Sequence, residues 1–305
     1  MYICIDFGGT NIRGALIDKN AKIHLRHRVK TEAFHGFDKV CDNLFELIDK
    51  LSQNVKLKAI GIGFPGTVST DSVIVTAPNL GWNNVNLSKI LKNKYNVEIK
   101  IDNDVNMAIR GENWIGAGKN YKNLFMLTVG TGVGGAFILN NTMFGGTDNN
   151  AGEIGHINVE KDGILCACGR KGCLEQYASA SAMVNFVKEK LLNGEKSIIE
   201  SNNYQHIEAK EIFDNARKGD KLCIQAVDRM CYYLSVGISS VVNLINPQCI
   251  IIGGGVSHAG LYFLERIKYY SEILCLDYSY KNLDIKLAKL GDEAGIFGCA
   301  YSFIE

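Results

Sequence analysis

Two stretches of this sequence repeat one order of features. Residues 1–23, MYICIDFGGTNIRGALIDKNAKI, run apolar strand, glycine-threonine turn, Gly-Ala strand and polar turn. Residues 123–144, NLFMLTVGTGVGGAFILNNTMF, run the same way, and Gly130-Thr131-Gly132 stands where Gly8-Gly9-Thr10 stood about 120 residues earlier. Glycine-rich hairpins also recur by chance, and the repeat taken alone leaves that reading open. The other reading is a duplicated α/β domain with a ligand cleft between its halves.

The segments between the repeats favour α/β alternation. Val40, Leu44, Leu47, Ile48 and Leu51 fall at helical spacing and predict a helix from Phe37 to Leu51. A buried strand is expected in LKAIGIGFPG, then a helix in VNLSKILKNKY, a strand in VEIKIDND and a helix in VNMAIRGENWIG. In the second half, helices are expected near 180–192 and 209–217, with a long apolar one from about Asp220 to Ile245 ended by Pro247. CIIIGGGV then reads as a buried strand and DEAGIFGCAYSF as a closing helix whose small residues permit close packing. The apolar run Cys231 to Ile245 is shorter than the ~18–20 residues of a membrane span and is broken by Ser and Gly, so it predicts a buried helix.

Charge narrows the function classes. With 33 basic and 32 acidic side chains and a net charge of +1, no surface built on bulk charge is expected, which disfavours nucleic acid and membrane and leaves small-molecule chemistry. Asp6 and a glycine pair follow Met1 too closely for a basic start and apolar core, so the reading expects no export signal and a reducing, cytoplasmic setting.

In that setting clustered thiols are better read as metal ligands than as disulfides. CACGRKGC offers Cys166, Cys168 and Cys173 as C-x-C-x4-C, with His156 ten residues upstream and Gly163, Gly169 and Gly172 to fold the backbone around one point. A closed Cys3His set suits structural zinc, whereas thiol exchange asks for a C-x-x-C pair. The other seven cysteines lie singly in apolar segments and are expected in the core.

Two glycine-threonine turns after strands present backbone N–H groups and hydroxyls suited to phosphate oxygens. Neither matches the Walker lysine pattern, and GGGV at Gly253 to Val256 lacks the spaced third glycine of a dinucleotide fingerprint. Together they suggest a nucleotide straddling two halves. Asp102, Asn103 and Asp104 end one strand and begin a helix, where a carboxylate projects toward ligand or merely caps the helix.

The set DFGGTN, DND, AGEIGH, CACGRKGCLE, IIIGGGV and DEAGIFGCA closely resembles the ROK family of bacterial sugar kinases, repressors and open reading frames, within the actin-like ATPase superfamily. Its most specific part is Glu153 to Glu175. The resemblance implies duplicated actin-like (ribonuclease H-like) α/β domains with an interdomain cleft and a zinc-binding insert. The smaller domain would comprise residues 1–117 plus 293–305, and the larger 118–292 with the zinc loop at 153–175. It implies an ATP-dependent kinase for the 6-hydroxyl of a hexose, glucose first, then N-acetylmannosamine, N-acetylglucosamine or fructose.

Carried over by position, the resemblance makes Asp104 the catalytic base and Asn103 a sugar ligand beside it. Glu153, His156 and Glu175 complete the sugar set with Gly66 and Asn79, and His156 doubles as a zinc ligand with Cys166, Cys168 and Cys173. Gly9, Thr10, Asn11, Thr131 and Gly132 would meet phosphates, Asp6 would hold Mg2+ through water, and Gly254 and Gly255 would lie beneath adenosine. Many relatives carry a lysine two residues after the loop threonine; here Ile12 stands there, followed by Arg13, which either supplies the charge or faces solvent. The partners implied are sugar and ATP, with a homodimer or higher homo-oligomer in which the apolar helix and zinc lobe take part. A sugar-sensing repressor of the same family is the second reading, disfavoured because the loop begins at Asp6 and leaves no room for a DNA-reading head.

Overall fold

The structure, a computed structural model, describes residues 1–199 and 206–304. It divides into two compact units, one of residues 1–122, 136–151 and 289–305, the other of residues 123–135 and 152–288.

In the first unit a meander of β1 (Tyr2–Phe7), β2 (Asn11–Ile17) and β3 (Ile23–Lys30) is followed by α1 (Phe37–Ser52) and β4 (Ala59–Phe64). A small antiparallel sheet of β5 (Thr67–Val68), β6 (Ile74–Ala77) and β7 (Trp82–Val85) comes next. Then follow α2 (Leu87–Tyr95), β8 (Glu98–Asn103) and α3 (Asp104–Ile115). The main sheet has the order β3-β2-β1-β4-β8, with β4 parallel to β1 and β8 parallel to β4. One face buries Ile3, Ile5, Phe7 and Ile12 against Val40, Leu44, Leu47 and Ile48 of α1, the periodic positions read from the sequence. The small sheet is not legible as strands in FPGTV or APNLGW, because its strands are too short to show alternation.

A second five-stranded sheet follows β9 (Leu124–Val129), β10 (Val133–Leu139) and β11 (Thr142–Phe144). Then come α4 (Glu175–Ala178), α5 (Ala180–Leu192), α6 (Ala209–Arg217), α7 (Lys221–Ile245), β12 (Cys249–Gly253), α8 (Leu261–Leu274), α9 (Asp277–Tyr280), β13 (Asp284–Leu287) and α10 (Ala294–Tyr301). Its order, β11-β10-β9-β12-β13, has β12 parallel to β9 and β13 parallel to β12, so the sequence repeat is a repeat of topology. Long α7 buries Leu222, Ala226, Met230, Leu234, Ile238 and Val242 and stops at Asn246, which adopts a left-handed conformation before Pro247. Among the described residues, no helix is long and apolar enough to cross a membrane.

Close packing of α10 on α3 depends on missing side chains. A Cβ on Gly298 would lie 1.6 Å from Met107 O, and one on Gly111 would lie 2.1 Å from Ala294 O. The small residues of the closing helix are therefore a packing requirement that brings the start of α10 to the end of the first sheet.

Candidate active site

In the first unit, register puts Arg13, Asp6, Gly63 and Asp102 side by side on four neighbouring strands, with β1, β4 and β8 parallel there. The carboxyl ends of parallel strands are where α/β sheets bind ligands. Just beyond β1, the Gly8 N–H donates to Asn11 O at 3.0 Å, and a Cβ on Gly8 would lie 2.7 Å from that oxygen. Buried Thr31 pins the loop from below, its hydroxyl donating to Gly8 O at 2.6 Å and its N–H to Thr10 O at 2.9 Å. Gly9 and Thr10 stay exposed.

The loop walls two recesses. One, of about 600 Å³, joins Gly9, Thr10 and Asn11 to Lys30, Glu32, Phe34 and Asn79. The other, of about 290 Å³, joins the same loop to Asp6, Arg13 and Asp292. Ile12 is wholly buried while Arg13 points out and pairs with Asp292 at 3.0 Å, so the alternation of β2 makes Arg13 the cation at this recess.

Within Asp102-Asn103-Asp104 the three side chains divide their work. Asn103 is the helix cap: its Oδ1 accepts from the N–H groups of Val105 at 2.8 Å and Asn106 at 3.4 Å, and its Nδ2 donates to Gly66 O at 3.1 Å. Gly66 needs its hydrogen, since a Cβ would meet Thr76 O at 2.5 Å. Asp102 accepts from the Asn103 N–H at 2.8 Å and from the amides of Asn106 at 2.8 Å and Asn149 at 2.9 Å, and it faces Arg110 at 3.7 Å. Asp104 opens α3 with its carboxyl pushed up to about 6, by burial first and then by the negative charge of Asp6. Burial also raises Asp6, with Arg13 opposing the rise and Asp292 adding to it. A carboxylate poised near neutrality can take a proton from an alcohol.

In the second unit, the Gly130 N–H donates to Gly132 O at 2.9 Å, closing the second loop, and Gly130 O accepts from the Ala180 N–H at 2.8 Å. Gly254 has a positive φ of 79°, and a Cβ there would lie 2.4 Å from Val129 O, so only glycine lets this turn lie on the end of β9. Thr131 and Gly255 share a recess of about 620 Å³ with Lys210, Phe213, Arg217, Val256 and His258. The α6 contributors were not legible as site residues, because an amphipathic helix pattern is the same whether its polar edge meets solvent or a ligand.

Four donors of the expected metal set converge. Ligand atoms of His156, Cys166, Cys168 and Cys173 all lie within 4.8 Å of one another, with Cys168 and Cys173 sulfurs 3.6 Å apart and Cys166 Sγ 3.9 Å from His156 Nδ1. Three soft sulfurs and one imidazole, drawn together without a disulfide, fit a tetrahedral zinc ion. Two backbone bridges, Asn158 with Cys173 and Leu165 with Lys171, shape the loop, and Gly172 at φ 76° lies where a Cβ would strike Glu160 O. The remaining seven cysteines are buried, as their apolar surroundings require.

His156 faces two ways. Its Nδ1 turns toward the thiol cluster while Nε2 lies 3.9 Å from Glu153, so one ring joins the metal donors to the Glu153 carboxylate. Glu175 rests on the second loop, where its Oε2 accepts from the Val133 N–H at 3.0 Å. Asn149, Arg110 and Asp292 were not singled out from the sequence; Asn149 and Asp292 meet partners too distant along the chain for spacing to show, and Arg110 sits within an ordinary amphipathic helix pattern.

The family model described as ROK family matches residues 2–305. A glucokinase of Halalkalibacterium halodurans is 35% identical over 97% of this chain and 93% of its own length. A xylose repressor of Caldicellulosiruptor bescii is 34% identical over 86% of this chain and 67% of the repressor. A solved ROK family glucokinase from Streptomyces griseus, in complex with glucose and AMPPNP, superposes with a TM-score of 0.84 at 29% identity, covering 98% of this chain and 97% of that one.

Proposed function

Because the chain belongs to the ROK family, we propose that it is an ATP-dependent sugar kinase whose acceptor is the primary hydroxyl of glucose. One observation carries the reading: Asp104 combines a position at the end of a parallel strand with a carboxyl raised to about 6. In this reading the two glycine loops bind phosphates through backbone N–H groups and the hydroxyls of Thr10 and Thr131. Asp104 accepts the proton as the sugar oxygen attacks the γ-phosphorus and the bond to the leaving diphosphate breaks.

Arg13, at the Asp6 recess, adds positive charge where phosphate charge accumulates. Asp6 and Asp292 offer the hard oxygen donors that suit Mg2+ and its waters. When bound, that ion would neutralise charge on the phosphate oxygens. Asn103 keeps its amide against Gly66 O, which fixes the loop beside the acceptor hydroxyl. Glu153 and Glu175 supply acceptors for further sugar hydroxyls, and zinc held by His156 and the three cysteines would brace the loop that presents Glu153.

Glucose is favoured over N-acetylmannosamine, N-acetylglucosamine and fructose by the glucokinase relatives and by the stretch FGGTDNNAGEIGH. Coupled ADP release over a panel of hexoses and N-acetylhexosamines tests this, and a higher kcat/KM for an N-acetylhexosamine would overturn the choice of glucose. The xylose repressor similarity supports a second reading, a sugar-sensing regulator. Sugar binding without sugar-dependent ADP release would favour it.

A further inference from the structure

Glu175 touches the wrong loop for a residue concerned with sugar alone. Its Oε2 accepts the Val133 N–H at 3.0 Å, and a Cβ on Gly132 would lie only 2.4 Å from that oxygen. The carboxylate therefore rests on the backbone of the second glycine loop, at the point where the loop turns into β10. Val133 is buried, so its N–H has no ready exchange with water.

The support behind Glu175 is stiff. The Leu174 N–H donates to Ile157 O at 2.9 Å, and Tyr177 takes the Ile164 N–H on its hydroxyl at 2.8 Å. The Arg229 guanidinium lies over the rings of Tyr177, Phe186 and Tyr233 at 4.9, 5.0 and 5.2 Å, locking α4 onto α7. One residue past the cap Ser179, the Ala180 N–H holds Gly130 O. The α4–α5 segment thus grips the loop at both ends, through Ala180 at Gly130 and through Glu175 at Val133.

We propose that Glu175 is a positioning residue for the second phosphate loop, setting its conformation for nucleotide before any sugar arrives. The inference rests on the kinase reading of that loop. It also has a consequence for the order of binding. A sugar hydroxyl that engages the same carboxylate acts on a group already bonded to the nucleotide loop, so sugar and nucleotide affinities become coupled, and the coupling must be reciprocal.

The test is AMPPNP binding with Mg2+ and no sugar, by isothermal titration calorimetry on the full chain. Glu175→Ala is expected to weaken nucleotide binding by about fivefold to tenfold, the loss of one buried acceptor. Glu175→Gln is expected to stay within about twofold of wild type, because its amide oxygen still accepts the Val133 N–H while the carboxylate charge is lost. Equal affinity of wild type and Glu175→Ala would overturn the inference. A wild-type chain that binds no AMPPNP would remove the kinase reading and this inference with it.

Should Glu175→Ala fail to fold by circular dichroism, Gly132→Ala reads the same link from the other side. Its methyl displaces the carboxylate, so glucose affinity measured without nucleotide is expected to fall several-fold. Unchanged glucose affinity in a folded Gly132→Ala chain would contradict the proposed link.

Discussion

The Asn149 amide donates to Asp102 Oδ1 at 2.9 Å and to Val68 O at 3.0 Å. It ties the loop after β11 to the strand end that carries Asp104 and to the small three-stranded sheet. The same loop closes on itself through the Ala151 N–H and Gly145 O at 2.9 Å. Asn149→Ala removes the outer tie and leaves Asp102 its other donors. The expected result is a rise of about fivefold in sugar KM, near 1 kcal/mol, with ATP KM unchanged. Steady-state kinetics with each substrate varied in turn decides it.

Asp104→Asn should preserve sugar binding and lower kcat by about 10²–10⁴-fold, the usual worth of a positioned base. Calorimetric sugar affinity and turnover must separate in this variant. Near wild-type turnover would remove Asp104 from the mechanism.

The same carboxyl predicts two pH effects. Since its proton must be absent for catalysis, kcat/KM should fall about tenfold per unit below pH 6, where burial and then Asp6 have moved its titration. For stability the sign is the reverse of an ordinary carboxylate. The folded value lies above the unfolded value of ~3.9, so the contribution to stability is present below about pH 4 and is lost as pH rises through about 6. Asp104→Asn should therefore be more stable than wild type at pH 8, by about 1–3 kcal/mol, and melt higher, with the gap closing below about pH 4. Thermal melts across that range check it.

Replacing Cys166 and Cys168 together by Ser leaves two of the four clustered donors, too few for a closed site. Elemental analysis should find one zinc per wild-type chain and none in the variant. Because His156 Nε2 faces Glu153, the variant should lose sugar affinity more than nucleotide affinity. An unchanged zinc content would contradict the ligand assignment.

Arg13 pairs with Asp292 at a recess it shares with Asp6, Gly9 and Thr10. Arg13→Ala is expected to raise ATP KM about tenfold without moving sugar KM, consistent with one exposed phosphate contact. Loss of the exposed ion pair itself should change stability little, by ~0–1 kcal/mol. A variant with wild-type ATP KM would assign Arg13 to the surface.

Much of the fold was legible because its signals are local. The period of Val40, Leu44, Leu47 and Ile48, the stop at Pro247, and the glycine-threonine turns after apolar runs are each set by a few consecutive residues. The Cys3His set was legible for the same reason, since Cys166 to Cys173 spans one tight loop. Even Arg13 facing outward follows from strand alternation once Ile12 is inward.

What the sequence determined by itself, then, is the kind of elements, their repeat, and the residue types offered at each strand end. Tertiary structure alone decided which of Asp102, Asn103 and Asp104 caps the helix, which is tied to Asn149 and Arg110, and which keeps a carboxyl poised near neutrality. It likewise decided that the Glu175 carboxylate accepts the Val133 N–H of the second loop. The reason is physical: any of three adjacent side chains could take the cap, while the desolvation and charge at Asp104 and the tie from Asn149 come from groups tens of residues away, and nothing in the spacing records which of them will meet.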